Sequence, residues 1–199
     1  MKRMVAILAT SLLVVGLSGA TRAEGDEMAD AVTTSDNPVV VVKTSMGTIE
    51  IELFQDKAPI SVENFLGYVD DGFYNGTIFH RVMKGFMIQG GGFDQGMERK
   101  KAKAPIKNEA TNGVGNEIGT VAMARTDVVD SATSQFFINT VNNARLDYKS
   151  ARSYGYAVFG KVISGMEVAK EIESVQTATK NGMGDVPVTT VTIESITRK

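Results

Sequence analysis

From Pro38 onward the apolar residues come in short runs broken by glycine, and this punctuation constrains the fold more than anything else in the chain. Val39-Val40-Val41-Val42 reads as a buried strand, Ser45-Met46-Gly47 as a turn, and Thr48-Ile49-Glu50-Ile51-Glu52-Leu53 as an alternating strand, together a hairpin. Further strands are expected at Thr77–Met83, Phe86–Gln89, Thr120–Arg125, Gln135–Asn139, Tyr156–Val162 and Val188–Ile196. Two helices interrupt them. In the first, Pro59 stands near the start, Val62, Phe65, Leu66 and Val69 recur at helical spacing, and Gly72 follows the end. The second runs from about Met166 to Ser174, with Val168 and Ile172 on one face. The 20 glycines fit many tight turns. The pattern favours a mainly β fold, a closed antiparallel barrel of about eight strands capped by helices. Periodicity alone does not separate it from a sandwich with two helices.

The chain has 199 residues, enough for one domain with a sizeable core. It has no cysteine, which excludes a disulfide framework, a thiolate metal site and a cysteine nucleophile. Lys2 and Arg3 precede an almost continuous apolar run, Met4 to Leu17, and small residues follow at Ser18-Gly19-Ala20 and Thr21-Arg22-Ala23. That is the layout of a secretory signal peptide, assigned to residues 1–23, with Ala20 and Ala23 both candidate ends. The run is shorter than the ~20 apolar residues that span a bilayer, so cleavage is expected rather than a retained anchor. Residues 24–37 show no apolar period and read as a flexible leader, which leaves 38–199 as the folded domain. Of the 21 basic residues, Lys2, Arg3 and Arg22 leave with the signal, so 18 basic side chains face 23 acidic ones, a net charge of −5. An acidic mature protein argues against broad nucleic-acid binding. The Arg99-Lys100-Lys101-Ala102-Lys103 cluster lacks interleaved aromatics and reads as a solvated loop.

Few residues offer chemistry. His80 is the only histidine, with no nucleophile elbow before it and no second metal ligand of its kind, so a structural histidine hydrogen-bonded within the barrel is expected. Gln89-Gly90-Gly91-Gly92 lacks the Gly-Lys-Ser/Thr ending of a phosphate loop and reads as a strand end with a tight turn. Glu109, Asp127 and Asp130 read as solvated loop carboxylates, with nothing to fix a catalytic pair. Phe136 and Phe137 are adjacent on a strand and therefore face opposite sides, one toward the core and the other toward a pocket wall. Arg81 lies in the apolar stretch Ile78-Phe79-His80-Arg81-Val82, where an arginine needs either a partner or an edge position with its head in water. The residues alone leave that open.

The blocks Phe79-His80-Arg81-x-x-x-Gly85-Phe86-Met87-x-Gln89-Gly90-Gly91, Met123-Ala124-Arg125, Ser134-Gln135-Phe136-Phe137-Ile138 and Val158-Phe159-Gly160-Lys161-Val162 closely resemble the cyclophilin family of peptidyl-prolyl cis-trans isomerases. The resemblance spans about residues 38–199, and the signal peptide with the short loop after Gly92 resembles the bacterial periplasmic branch. It implies an eight-stranded antiparallel barrel with a helix over each end and no cofactor or metal. It places the catalytic arginine at Arg81 and its orienting glutamine at Gln89. The proline pocket falls on Phe86, Met87, Phe137 and Leu146, and the peptide-binding segment on Ala124 and the backbone of Arg125. Tyr156 takes the position of a pocket histidine, and Arg145 stands where many eukaryotic members have tryptophan, so weak cyclosporin binding is expected. The implied substrates are flexible or unfolded polypeptides containing proline, met in the periplasm by a protein with no membrane attachment after cleavage. Monomer is the default, since no heptad pattern indicates assembly. The alternative reading is a periplasmic chaperone or binding module that uses the same pocket to hold proline-containing segments, with isomerisation incidental.

Overall fold

The computed structural model describes residues 37–199, so the expected signal peptide and all but the last residue of the leader lie outside the described residues. The strands are β1 (Val39–Thr44), β2 (Gly47–Leu53), β3 (Thr77–Met83), β4 (Met87–Asp94), β5 (Thr120–Met123), β6 (Phe136–Asn139), β7 (Val158–Ser164), β8 (Thr177–Lys180), β9 (Met183–Pro187) and β10 (Thr192–Arg198). Eight of them close a barrel in the order β1-β10-β3-β4-β6-β5-β7-β2, and every neighbouring pair is antiparallel. Closure pairs the last strand with the first and leaves the barrel itself without an open sheet edge.

Alternation sends one face of each strand inward. Val40, Val42, Ile49, Ile51, Phe79, Val82, Ile88, Val121, Phe136, Ile138, Phe159 and Ile193 form one buried cluster inside the barrel. Helix α1 (Pro59–Asp70) adds Val62, Phe65, Leu66 and Val69 to it, and α2 (Met166–Glu173) adds Ala169 and Ile172. The chain enters α1 soon after the Leu53 end of β2, whereas Val168 of α2 packs against Gly47 at the other end. The two helices therefore close opposite ends of the barrel. Phe65 is the aromatic hub, with ring centroids 5.1 Å from Tyr74, 5.4 Å from Phe136 and 5.1 Å from Phe159.

Several sequence expectations change in the structure. The Gln89–Gly92 stretch is no strand end, because β4 continues through the glycines to Asp94. A Cβ on Gly92 would lie 2.5 Å from Gln135 Cγ, and one on Gly90 would lie 3.0 Å from Phe79 and 3.1 Å from the Ile78 carbonyl. These glycines permit close strand contact, not a turn. Glu109 is no free loop carboxylate: it accepts hydrogen bonds from the backbone N–H groups of Ile60 at 3.0 Å and Ser61 at 2.7 Å. It thereby satisfies N–H groups that the first turn of α1 cannot use, in place of a local cap. Asp130 accepts from the Asn108 N–H at 2.8 Å and so pins two loops together. The basic cluster is a strap across the end of α1. Lys103 pairs with Asp71 at 2.6 Å and donates to the Gly67 carbonyl, while Lys100 donates to the Phe73 carbonyl. Cations placed there complement the negative end of the helix dipole. The last barrel strand begins at Thr192, because the residues up to Pro187 form the separate β8–β9 hairpin, which strand periodicity did not reveal.

Candidate active site

Strand register lines up the candidate residues. Arg81 of β3 stands opposite Gln89 of β4, Gln89 opposite Phe137 of β6, and Phe137 opposite Ala122 of β5. A bulge makes this row possible. Between Phe79 and Arg81 the partner on β4 advances only from Gly90 to Gln89, so β3 carries one extra residue there. Phe79 and Val82, three apart, both point into the core, and His80 and Arg81 are both left off it. Bulges of this kind commonly re-aim a side chain beside a functional site.

Outside the barrel wall, Met87, Ala122, Phe137 and Val158 form a second apolar cluster, with Phe86, Ala124, Leu146 and Tyr156 packed around it. Phe136 is fully buried in the first cluster and Phe137 is 4% exposed in the second, which is the division expected of adjacent strand residues. The cluster floors a pocket of ≈ 160 Å³ lined by Arg81, Phe86, Met87, Gln89, Ala124, Arg125, Phe137, Leu146 and Tyr156. Every site residue singled out from the sequence lines this pocket. It is smaller than the ~300–1,000 Å³ usual for drug-sized ligands and suits one small apolar ring.

Polar groups surround the apolar floor. Gln89 donates its Nε2 hydrogen to Gln135 Oε1 at 2.9 Å, so the neighbour that orients its amide is Gln135. The Arg125 guanidinium is folded back, with Nε donating to the Gly155 carbonyl at 2.9 Å and the head 4.7 Å over the Tyr156 ring. Arg145 lies 4.3 Å over the Phe86 ring and covers its face as a cation. Arg81, with its side chain 43% exposed, has one ion pair among the described residues, Nε to Asp185 Oδ2 at 3.8 Å.

The turn that carries Phe86 is clamped from behind. Glu173 of α2 accepts from the Gly85 N–H at 2.8 Å and the Thr140 hydroxyl at 2.5 Å, and Asn143 donates to the Phe86 carbonyl at 2.9 Å. Burial pushes the Glu173 carboxyl up. The hydrogen bonds from Thr140, Lys170 and Gly85 outweigh it and hold the group below the usual carboxylate range.

Gln135, Glu173, Asn143 and Asp185 were not among the residues chosen from the sequence. Only Gln135 carried a signal: immediately before β6 and two positions before Phe137, it continues the alternation on that residue's side. The other three come from remote segments with no pattern of their own.

His80 is a structural histidine, with hydrogen bonds to the Ile78 backbone and the Gln135 side chain. Displaced by the bulge, it is 5% exposed against Phe93, with ring centroids 4.6 Å apart. Burial pushes its pKa down to about 4, aided by the nearby charge of Arg81. The unfolded chain therefore takes up a proton near pH ~6.5, before the folded chain does. The neutral imidazole's contribution to stability is complete above that pH and is lost as pH falls to about 4. The loss is on the order of 3 kcal/mol. An NMR titration of this single imidazole should show a midpoint near 4; one near 6.5 would contradict the burial assigned to it.

Comparison with known proteins gives the family and agrees with the fold. Residues 39–198 match the family described as cyclophilin type peptidyl-prolyl cis-trans isomerase/CLD. Peptidyl-prolyl cis-trans isomerase A of Dickeya dadantii is 50% identical over 98% of this chain and 96% of that protein. A peptidyl-prolyl cis-trans isomerase of Acinetobacter baylyi is 56% identical over 80% of this chain and 85% of its own. Among solved structures, a cyclophilin type peptidyl-prolyl cis-trans isomerase of Cryptosporidium parvum aligns with a TM-score of 0.68 at 26% identity, covering 82% of this chain and 98% of that one. A structure of the same protein was solved in the presence of the dipeptide Ala-Pro.

Proposed function

This chain belongs to the cyclophilin-type peptidyl-prolyl cis-trans isomerases, and on that premise we propose that Arg81 drives X–Pro bond rotation in exported polypeptides by stabilising the twisted imide. Amide resonance opposes the rotation with a barrier of ~18–20 kcal/mol, so uncatalysed exchange takes tens to hundreds of seconds. At the twisted midpoint the proline nitrogen becomes pyramidal and regains a lone pair. A guanidinium N–H donates to that lone pair, and the planar ground state offers only a weak acceptor there. An interaction made mainly at the transition state raises rate rather than affinity.

The observation that carries this reading is the row Arg81, Gln89, Phe137 across three neighbouring strands, which joins one cation, one amide and one apolar wall. The ring of a bound proline rests among Phe86, Met87, Phe137 and Leu146, while Gln89 and the backbone at Arg125 hold the flanking chain. Arg145 caps Phe86 as a cation and supplies no indole N–H, which supports weak cyclosporin binding. Export to the periplasm rests on the signal-peptide layout of residues 1–23 and gives the enzyme newly translocated, unfolded clients.

One experiment tests activity and compartment together. The chain released by osmotic shock should have lost a segment ending at Ala20 or Ala23 by mass, and should speed cis-trans exchange of an Ala-Pro peptide in NMR exchange spectra. A processed, folded protein without acceleration would mark a binding protein that holds proline-containing segments. Retention of the unprocessed chain in the membrane fraction would contradict the export assignment.

A further inference from the structure

We propose that Asp185 is a positioning residue for the catalytic arginine, holding the Arg81 guanidinium from the side opposite the proline pocket. The proposal rests on the reading of Arg81 given above. Arg81 lines two cavities, the apolar pocket and a second space of ≈ 520 Å³ that is also lined by His80, Met183 and Asp185. Asp185 borders only the second of these. Its carboxylate thus approaches Arg81 from the side of the second space, with its nearest contact at Nε. At 3.8 Å the contact is a charge attraction, not a hydrogen bond.

The hairpin that carries Asp185 is built to hold it there. β8 and β9 pair with each other and with no barrel strand. The hairpin lies on the outside of β3 because Val186 packs with Ile78 and Met97, and Met183 joins the same cluster. Asp185 is thus placed between two anchored neighbours. Its φ is +62°, a left-handed conformation that Asp and Asn tolerate far better than most residues. Arg81 needs such a partner, because a long, half-exposed side chain otherwise samples many rotamers, and a transition-state donor acts only from one. Gln89 is committed through its Nε2 to Gln135, and Asp185 supplies the one ion pair of Arg81 among the described residues.

Asp185→Asn removes the charge, keeps the side-chain size and keeps tolerance of positive φ. In low salt kcat for an Ala-Pro peptide should fall about three- to fivefold with KM unchanged, the scale expected of a half-exposed ion pair, and the difference should shrink as salt is added. The Arg81 Nε–H should become more mobile in 15N relaxation. In an Arg81→Ala background the same substitution should change nothing. An unchanged kcat and Nε–H mobility in the folded Asp185→Asn variant would overturn the proposal. So would an equal loss of activity in the Arg81→Ala background, which would show the hairpin acting by support alone. An Arg81→Ala enzyme with full activity would instead overturn the catalytic reading of Arg81, and the two failures are thereby distinguished.

Discussion

Arg81→Ala should lower kcat about 10²–10³-fold, the range seen when one transition-state hydrogen-bond donor is removed, with KM and stability near wild type. The separation follows from where the side chain sits. Its side chain is 43% exposed and its charge contact with Asp185 is a half-exposed pair, worth about 0–1 kcal/mol. No core packing is lost, because the bulge in β3 keeps Arg81 out of the barrel. In the proposed binding mode the substrate ring rests among Phe86, Met87, Phe137 and Leu146, which the substitution leaves in place, so ground-state binding should survive. On the proposed mechanism the donor is missed only when the proline nitrogen is pyramidal, and the loss should fall on the rate. The variant should be checked for a wild-type unfolding midpoint and then assayed by peptide exchange. A folded Arg81→Ala protein with wild-type kcat would mean that burial and desolvation of the proline alone drive rotation.

The elements with a simple period were legible in advance. The β1–β2 hairpin and α1 were expected close to where they lie, because alternation and helical spacing there are uninterrupted. The bulge at His80 was not, and it decides the site. A strict two-residue period would put Arg81 on the same face as Phe79, inside the barrel, where an unpaired guanidinium is prohibitively costly. Sequence reading saw the conflict in an arginine within an apolar strand but not its resolution, since an extra residue leaves no mark on composition. The glycines of β4 misled for a related reason: Gly90 and Gly92 answer to Phe79 and Gln135, neighbours that local pattern does not reveal. Glu109, Glu173 and Asp185 all act on segments distant in sequence. A carboxylate whose partners are remote looks the same in sequence as a solvated one. The pocket itself was readable because its residues come from contiguous blocks, and the family resemblance carried those blocks as a set.

Phe136→Ala and Phe137→Ala should fail in different ways, though the residues are neighbours on one strand. Phe136 is fully buried, in edge-to-face contact with Phe65 at 5.4 Å and with Tyr74 at 5.6 Å. Its truncation opens a cavity between α1 and the barrel wall and costs about 3–5 kcal/mol of stability. Phe137 packs on Tyr156 at 5.7 Å across the pocket, with one face turned to the space that receives the proline ring. Its truncation costs less stability, about 1–3 kcal/mol, because that side is not filled in the free enzyme. It removes an apolar wall from the substrate, however, and kcat/KM falls at least about tenfold, carried mainly by KM. Below its lowered midpoint, the Phe136→Ala enzyme should keep a near wild-type KM, since the sheet holds Gln89 and Phe137 in register through backbone hydrogen bonds. Denaturant melts and peptide kinetics on both variants give the test. A Phe137→Ala protein with wild-type kcat/KM would show that the ring binds elsewhere. Equal stability losses with unaltered kinetics in both would mean that the two side chains share one core, and that the alternation of β6 does not divide structure from function.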